Sequence, residues 1–96
     1  MGKSEIIEIL TQANKETKEK YKSRIIGLFG SYARNEETIE SDIDILVEKT
    51  DDISLFELSG LKIYLEEKLK IKVDIVTTAA LREEIKPYVL KDLIYL

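Results

Sequence analysis

The chain has 96 residues, and its 15 basic against 19 acidic side chains give a net charge of −4. That length holds one hydrophobic core and not two, so a single domain over residues 1–96 is expected, and the acidity gives no electrostatic reason to coat nucleic acid. Cysteine and histidine are both absent, which excludes disulfides, thiolate chemistry, imidazole bases and any Ser–His or Cys–His catalysis.

Residues Ser4 to Tyr21 carry Ile6, Ile9, Leu10, Ala13 and Thr17 at three- and four-residue steps, with Lys and Glu between them. This spacing predicts an amphipathic helix with Ser4 as its N-cap. Arg24 to Phe29 is short, apolar and β-branched, which predicts a buried strand ended by Gly30-Ser31. Ser31 is then expected to cap a short helix through Tyr32, Ala33 and Arg34, followed by a polar loop from Asn35 to Ser41.

The second strand is predicted from Asp42 to Glu48, where Ile43, Ile45 and Val47 alternate with Asp42, Asp44 and Leu46. Ser54-Leu55-Phe56-Glu57 is a capping box, opening a helix whose stripe is Leu58, Leu61, Leu65 and Leu69. A third strand is predicted over Lys72 to Thr77. Pro87 suits a first helical turn, so a last helix from Pro87 to about Tyr95 is expected to bury Leu90, Leu93 and Ile94. The resulting fold class is α/β (α+β): a small mixed sheet of about three strands covered by helices, mainly on one face. No apolar run approaches the roughly eighteen residues that cross a bilayer, and Lys15 to Lys22 is charged where a signal peptide stays apolar. A cytoplasmic chain without membrane contact is the expectation.

The carboxylates on the strands stand out. Asp42 and Asp44 are two apart on one strand, so both project from the same face with Cα atoms roughly 6–7 Å apart. Like charges that close repel unless a cation lies between them, and oxygen ligands select Mg²⁺ or Mn²⁺ over zinc. If the second and third strands are neighbours, Asp74 joins them at one edge of the sheet. Gly30-Ser31 supplies the complement: a glycine at a strand end admits a phosphate close to the backbone, and the Ser31 N–H and hydroxyl face that anion. Each element alone has an ordinary structural explanation. Gly-Ser at this fixed spacing from Asp-x-Asp, however, arises by chance in roughly one chain in a thousand of this length.

Gly30-Ser31, then ten residues, then Asp42-Ile43-Asp44, resembles the signature of the DNA polymerase β-like nucleotidyltransferase superfamily. Phe29-Gly30-Ser31-Tyr32-Ala33-Arg34 with Ser41-Asp42-Ile43-Asp44-Ile45-Leu46-Val47 resembles its minimal nucleotidyltransferase (MNT) group, whose members are commonly antitoxins paired with HEPN-domain toxins. The resemblance extends through Val73-Asp74-Ile75 to the chain's last helix. It implies that Asp42, Asp44 and Asp74 are catalytic metal ligands for Mg²⁺ (or Mn²⁺), with Asp74 also helping to deprotonate the acceptor hydroxyl. It implies that Gly30 and Ser31 bind the triphosphate of ATP. Arg34 either reaches a phosphate or pairs with Glu36 or Glu37. Many relatives carry glycine where this chain has Asn35, and asparagine also tolerates the left-handed turn.

The function implied is transfer of AMP from ATP to a hydroxyl, foremost a tyrosine, of a HEPN toxin, which completes a site this small chain cannot enclose. The alternative is a non-catalytic antitoxin that masks its partner by contact, with Tyr88, Leu90, Tyr95 and Leu96 as either contact face or core. Action on small molecules or nucleic acid is disfavoured by the net negative charge and the missing accessory domain, and direct DNA binding further by the lack of a basic recognition helix.

Overall fold

The computed structural model describes all residues from 1 to 96. The elements run α1 (Lys3–Tyr21), β1 (Ser23–Phe29), β2 (Ile43–Lys49), α2 (Leu55–Leu69), β3 (Val73–Thr77), a 3-10 turn (Thr78–Ala80), α3 (Lys86–Asp92) and β4 (Ile94–Tyr95). The sheet order is β3-β2-β1-β4, with β2 and β3 parallel and the other pairs antiparallel. The sheet is therefore mixed, as expected, with four strands where about three were expected. No helix is long and apolar enough to cross a membrane.

The core lies between the sheet and the two long helices. Ile6, Leu10 and Ala13 of α1 and Leu61, Leu65 and Leu69 of α2 pack on Ile25, Leu28, Ile43, Ile45, Val47 and Val73. The capping box at α2 is formed: Ser54 accepts from the Phe56 N–H, and Glu57 accepts from the Ser54 N–H. The Ser54 hydroxyl and then the Ser54 N–H, both donating to Glu57, favour its charged form and hold the carboxyl down at about 2.

A bulge in β1 sets the geometry of everything beside it. Ile25 pairs with Val47 and Gly27 with Leu46, so Ile26 is an extra residue. Were Ile26 paired as a regular strand residue, strict alternation from Ile25 would turn Leu28 away from the core. The bulge shifts the phase by one, sends Leu28 fully inside and puts Phe29 opposite Asp44 on the other face. Asn14 of α1 meets the main chain at the same place: its Nδ2 donates to Ile25 O at 3.2 Å, and its Oδ1 accepts from the Ile25 N–H at 2.9 Å. The amide thus serves as a strand neighbour where β4 does not reach, and it docks α1 on β1.

Four local expectations are corrected. The N-cap of α1 is Gly2, with no side-chain cap, because the helix begins one residue before Ser4. Ser31 opens a single turn and not a helix. The N–H groups of Arg34 and Glu36 close on Gly30 O and Ser31 O, and left-handed residues bound it at Gly30 (φ 79) and Asn35 (φ 58). A segment that short cannot offset the cost of helix nucleation. The last helix starts at Lys86, with Pro87 in its first turn, and ends at Asp92, where the chain turns extended to pair with Gly27 and Leu28. Its buried residue is Val89; Leu90 is exposed, and Leu93 and Ile94 are half-buried. Seven helical residues present one side chain inward, and the strand that follows breaks the helical period.

β4 fits against β1 only because Gly27 has no side chain. A Cβ there would lie 2.2 Å from Ile94 O. The added strand also brings α3 over the face of the sheet opposite α1 and α2, at the end where β1 finishes.

Candidate active site

Asp44 and Asp74 are register partners across the parallel β2–β3 pair. Partners in such a ladder project from the same face, and that face is opposite the one bearing Ile43, Ile45 and Val73. Asp42, two residues before Asp44, lies just ahead of β2 and is exposed, as is Asp74; Asp44 is half-buried. Burial first, then the charges of Asp74 and Asp42, push the Asp44 carboxyl up to about 6, while the Arg34 guanidinium acts in the opposite direction. Asp44 therefore feels both neighbours, yet the three carboxylates do not draw into a closed cage of three ligands. Crowded oxygen donors of like charge suit a hard divalent cation, whose charge would offset their repulsion.

Gly30 stands directly beside Asp44. A Cβ on Gly30 would lie 2.0 Å from Asp44 Oδ2, and the φ of +79° is itself one that side chains resist. The missing side chain brings the backbone of the following turn up to the carboxylate. The N–H groups of Ser31, Tyr32 and Ala33 are not among the donors that close that turn. Tyr32 and Ala33 are buried and fasten it to the core. Asn35 takes the left-handed conformation that an asparagine tolerates, as expected.

A cleft of about 360 Å³ joins these parts. Gly30, Ser31, Arg34 and Asp44 form one side, and Tyr88, Val89 and Asp92 of α3 form the other. Arg34 Nη1 donates to Asp92 Oδ2 at 2.7 Å, and its Nε lies 3.5 Å from Glu36 Oε1. Of the carboxylates foreseen for Arg34, Glu36 is a partner and Glu37 is not; the closer partner, Asp92, was not foreseen. A second groove, of about 420 Å³, opens beside Asp42 between Ile39–Ser41 and Lys70–Lys72. The structure thus brings Gly30, Ser31, Arg34 and Asp44 to one cleft. Asp74 lies next to Asp44 on the adjoining strand, and Asp42 lines the second groove and not the cleft.

Sequence reasoning missed the α3 wall. One signal for it was present: Asp92 is an acid in the last turn of a helix, where the macrodipole favours bases.

The nucleotidyltransferase domain family matches residues 10–96. MJ0126 of Methanocaldococcus jannaschii, named as a candidate protein adenylyltransferase, is 52% identical over 97% of this chain and 96% of its own. The protein adenylyltransferase MntA of Thermococcus cleftensis is 42% identical over 95% of this chain and 92% of its own. A solved structure of a candidate minimal nucleotidyltransferase superposes with a TM-score of 0.82 at 29% identity, covering 100% of this chain and 97% of that one. A toxin–antitoxin structure with AMP-PNP gives 0.70 at 25% identity, over 99% of this chain and 72% of that one. A tri-AMPylated Shewanella oneidensis HEPN toxin in complex with an MNT antitoxin gives 0.60 at 25% identity, over 97% and 66%.

Proposed function

Because the chain belongs to the nucleotidyltransferase domain family, and is in that sense a nucleotidyltransferase, we propose that it transfers AMP from ATP to a tyrosine hydroxyl of a HEPN toxin and so acts as its antitoxin. The observation that carries this reading is the cross-strand pair Asp44–Asp74 beside the open turn at Gly30. Support comes from the AMP-PNP in one similar toxin–antitoxin structure and from the AMPylated HEPN toxin in another.

In this reading Asp42, Asp44 and Asp74 would hold Mg²⁺ (or Mn²⁺). When bound, the ion neutralises charge on the phosphates and on the ligands that face them. The Ser31 N–H and hydroxyl donate to the triphosphate, and Arg34 adds a cation. Asp74, exposed on an edge strand, accepts the proton of the incoming hydroxyl. The hydroxyl oxygen forms a bond to the α-phosphorus, the bond from that phosphorus to the bridging oxygen breaks, and pyrophosphate leaves. An acceptor carried on a second protein can reach Asp74 because nothing in this small chain covers it.

The test is incubation with Mg²⁺, α-labelled ATP and the partner toxin. Label on a tyrosine of the toxin, lost with Asp42→Asn plus Asp44→Asn, is the expected result. No transfer, or transfer indifferent to those substitutions, rejects it. The contact-only reading is favoured by one observation: Tyr88, Leu90, Tyr95 and Leu96 are all exposed. It requires that a triple Asp→Asn chain still neutralise the toxin.

A further inference from the structure

Asp92 lies 58 residues from Arg34 in sequence and donates nothing to the core, yet the two form the only direct side-chain bond between the turn after β1 and α3. The bond is a charged one at 2.7 Å, with Asp92 the less exposed partner at 20%. An acid in the last turn of a helix opposes the helix dipole, so Asp92 is unfavourable there without a cation facing it. Arg34 is that cation, and both side chains line the cleft that contains Gly30, Ser31 and Asp44.

The guanidinium offers five donors in a flat fork. Asp92 takes one from Nη1, and the Nε edge faces Glu36. The two N–H groups of Nη2 are engaged by neither ion pair. An arginine hydrogen-bonded at Nη1 and paired at Nε has less freedom to lose when a ligand arrives.

We propose that Asp92 is a positioning residue: it holds the Arg34 fork so that its free Nη2 meets the β- and γ-phosphates of the nucleotide. This rests on the assignment of Gly30, Ser31 and Arg34 to nucleotide binding. It adds to that assignment a carboxylate on α3 that touches no substrate.

The experiment is calorimetric titration of the full chain with ATP, inorganic triphosphate and AMP, each with Mg²⁺. Asp92→Asn keeps the shape and removes the charge. It is expected to weaken ATP and triphosphate about tenfold, the scale of one charge-assisted hydrogen bond, and to leave AMP, which lacks the outer phosphates, unchanged. Asp92→Glu should hold the wild-type ratio of ATP to AMP affinity, and Asp92→Asn should add nothing on an Arg34→Gln background. A fastening role alone would lower all three ligands together or only the melting temperature. The proposal is overturned if Asp92→Asn binds ATP as the wild type does or more tightly, if AMP falls equally, or if Asp92→Glu loses ATP as Asn does. A wild-type chain that binds neither ATP nor triphosphate would instead reject the underlying assignment.

Discussion

The main chain at Gly30 lies against the carboxylate of Asp44, so close that a Cβ would stand 2.0 Å from Oδ2. Gly30→Ala must therefore move either the turn or Asp44, and it must also hold φ +79° with a side chain. Loss of about 1–3 kcal/mol of stability is expected, together with loss of nucleotide binding. A thermal melt and an ATP titration on the same preparation check both. A variant that melts lower but binds ATP normally would separate the turn's conformation from its function.

The Asp44 carboxyl sits at about 6 against an ordinary value of 3.8. Between those values the native state binds more protons than the unfolded one, so stability is fully present below the lower value and is lost as pH rises through the upper. The limit is about 3 kcal/mol, and solvent screening of this half-buried group reduces it to about 1–2. Asp44→Asn should therefore be more stable than the wild type at pH 8 in chelator and lose that advantage at pH 4. Urea denaturation at the two pH values measures it. Added Mg²⁺ should narrow the difference at pH 8 by stabilising only the wild type.

The two long helices and the three longer strands were legible because their apolar periods are clear: Leu61, Leu65 and Leu69 on one stripe, Ile43, Ile45 and Val47 on alternate positions. Asp42 stands just ahead of the strand predicted to carry it, whereas the closeness of Asp44, Asp74 and the Gly30-Ser31 turn was legible because a carboxylate on a core strand and a glycine at a strand end each break a local rule. The fourth strand was not. Ile94-Tyr95 is two residues long and carries no period of its own; what recruits it is the bare backbone of Gly27 on a strand read earlier in the chain. The bulge at Ile26 and the Asn14 amide were hidden for a related reason, since both concern main-chain groups, on which side-chain patterning is silent. Asp92 became meaningful only once β4 had brought α3 next to Arg34.

The bulge makes its own prediction. Deleting Ile26 removes the extra residue and leaves Gly27, Leu28 and Phe29 opposite Leu46, Ile45 and Asp44, so Leu28 stays in the core. The deletion should therefore fold, with the amide signals of the Gly30–Asn35 turn close to their wild-type positions in a two-dimensional NMR spectrum. Unfolding, or displacement of those signals, would contradict the register described.

Gly27→Ala should detach β4, because its new methyl group would meet Ile94 O at 2.2 Å. The expected cost is about 1–3 kcal/mol. Hydrogen exchange at the Leu96 N–H, which donates to Ile26 O at 3.0 Å, should accelerate while that of α1 amides changes little. The same variant should weaken ATP binding, since α3 loses its anchor.

The central claim is that the carboxylates of Asp42, Asp44 and Asp74 carry out transfer onto a partner protein. Intact-mass spectrometry of the toxin after co-expression tests it directly. With the wild-type chain the toxin should gain whole adenylyl units, and with Asp42→Asn, Asp44→Asn and Asp74→Asn together it should gain none and remain toxic. An unmodified toxin that either chain neutralises equally well would contradict the account.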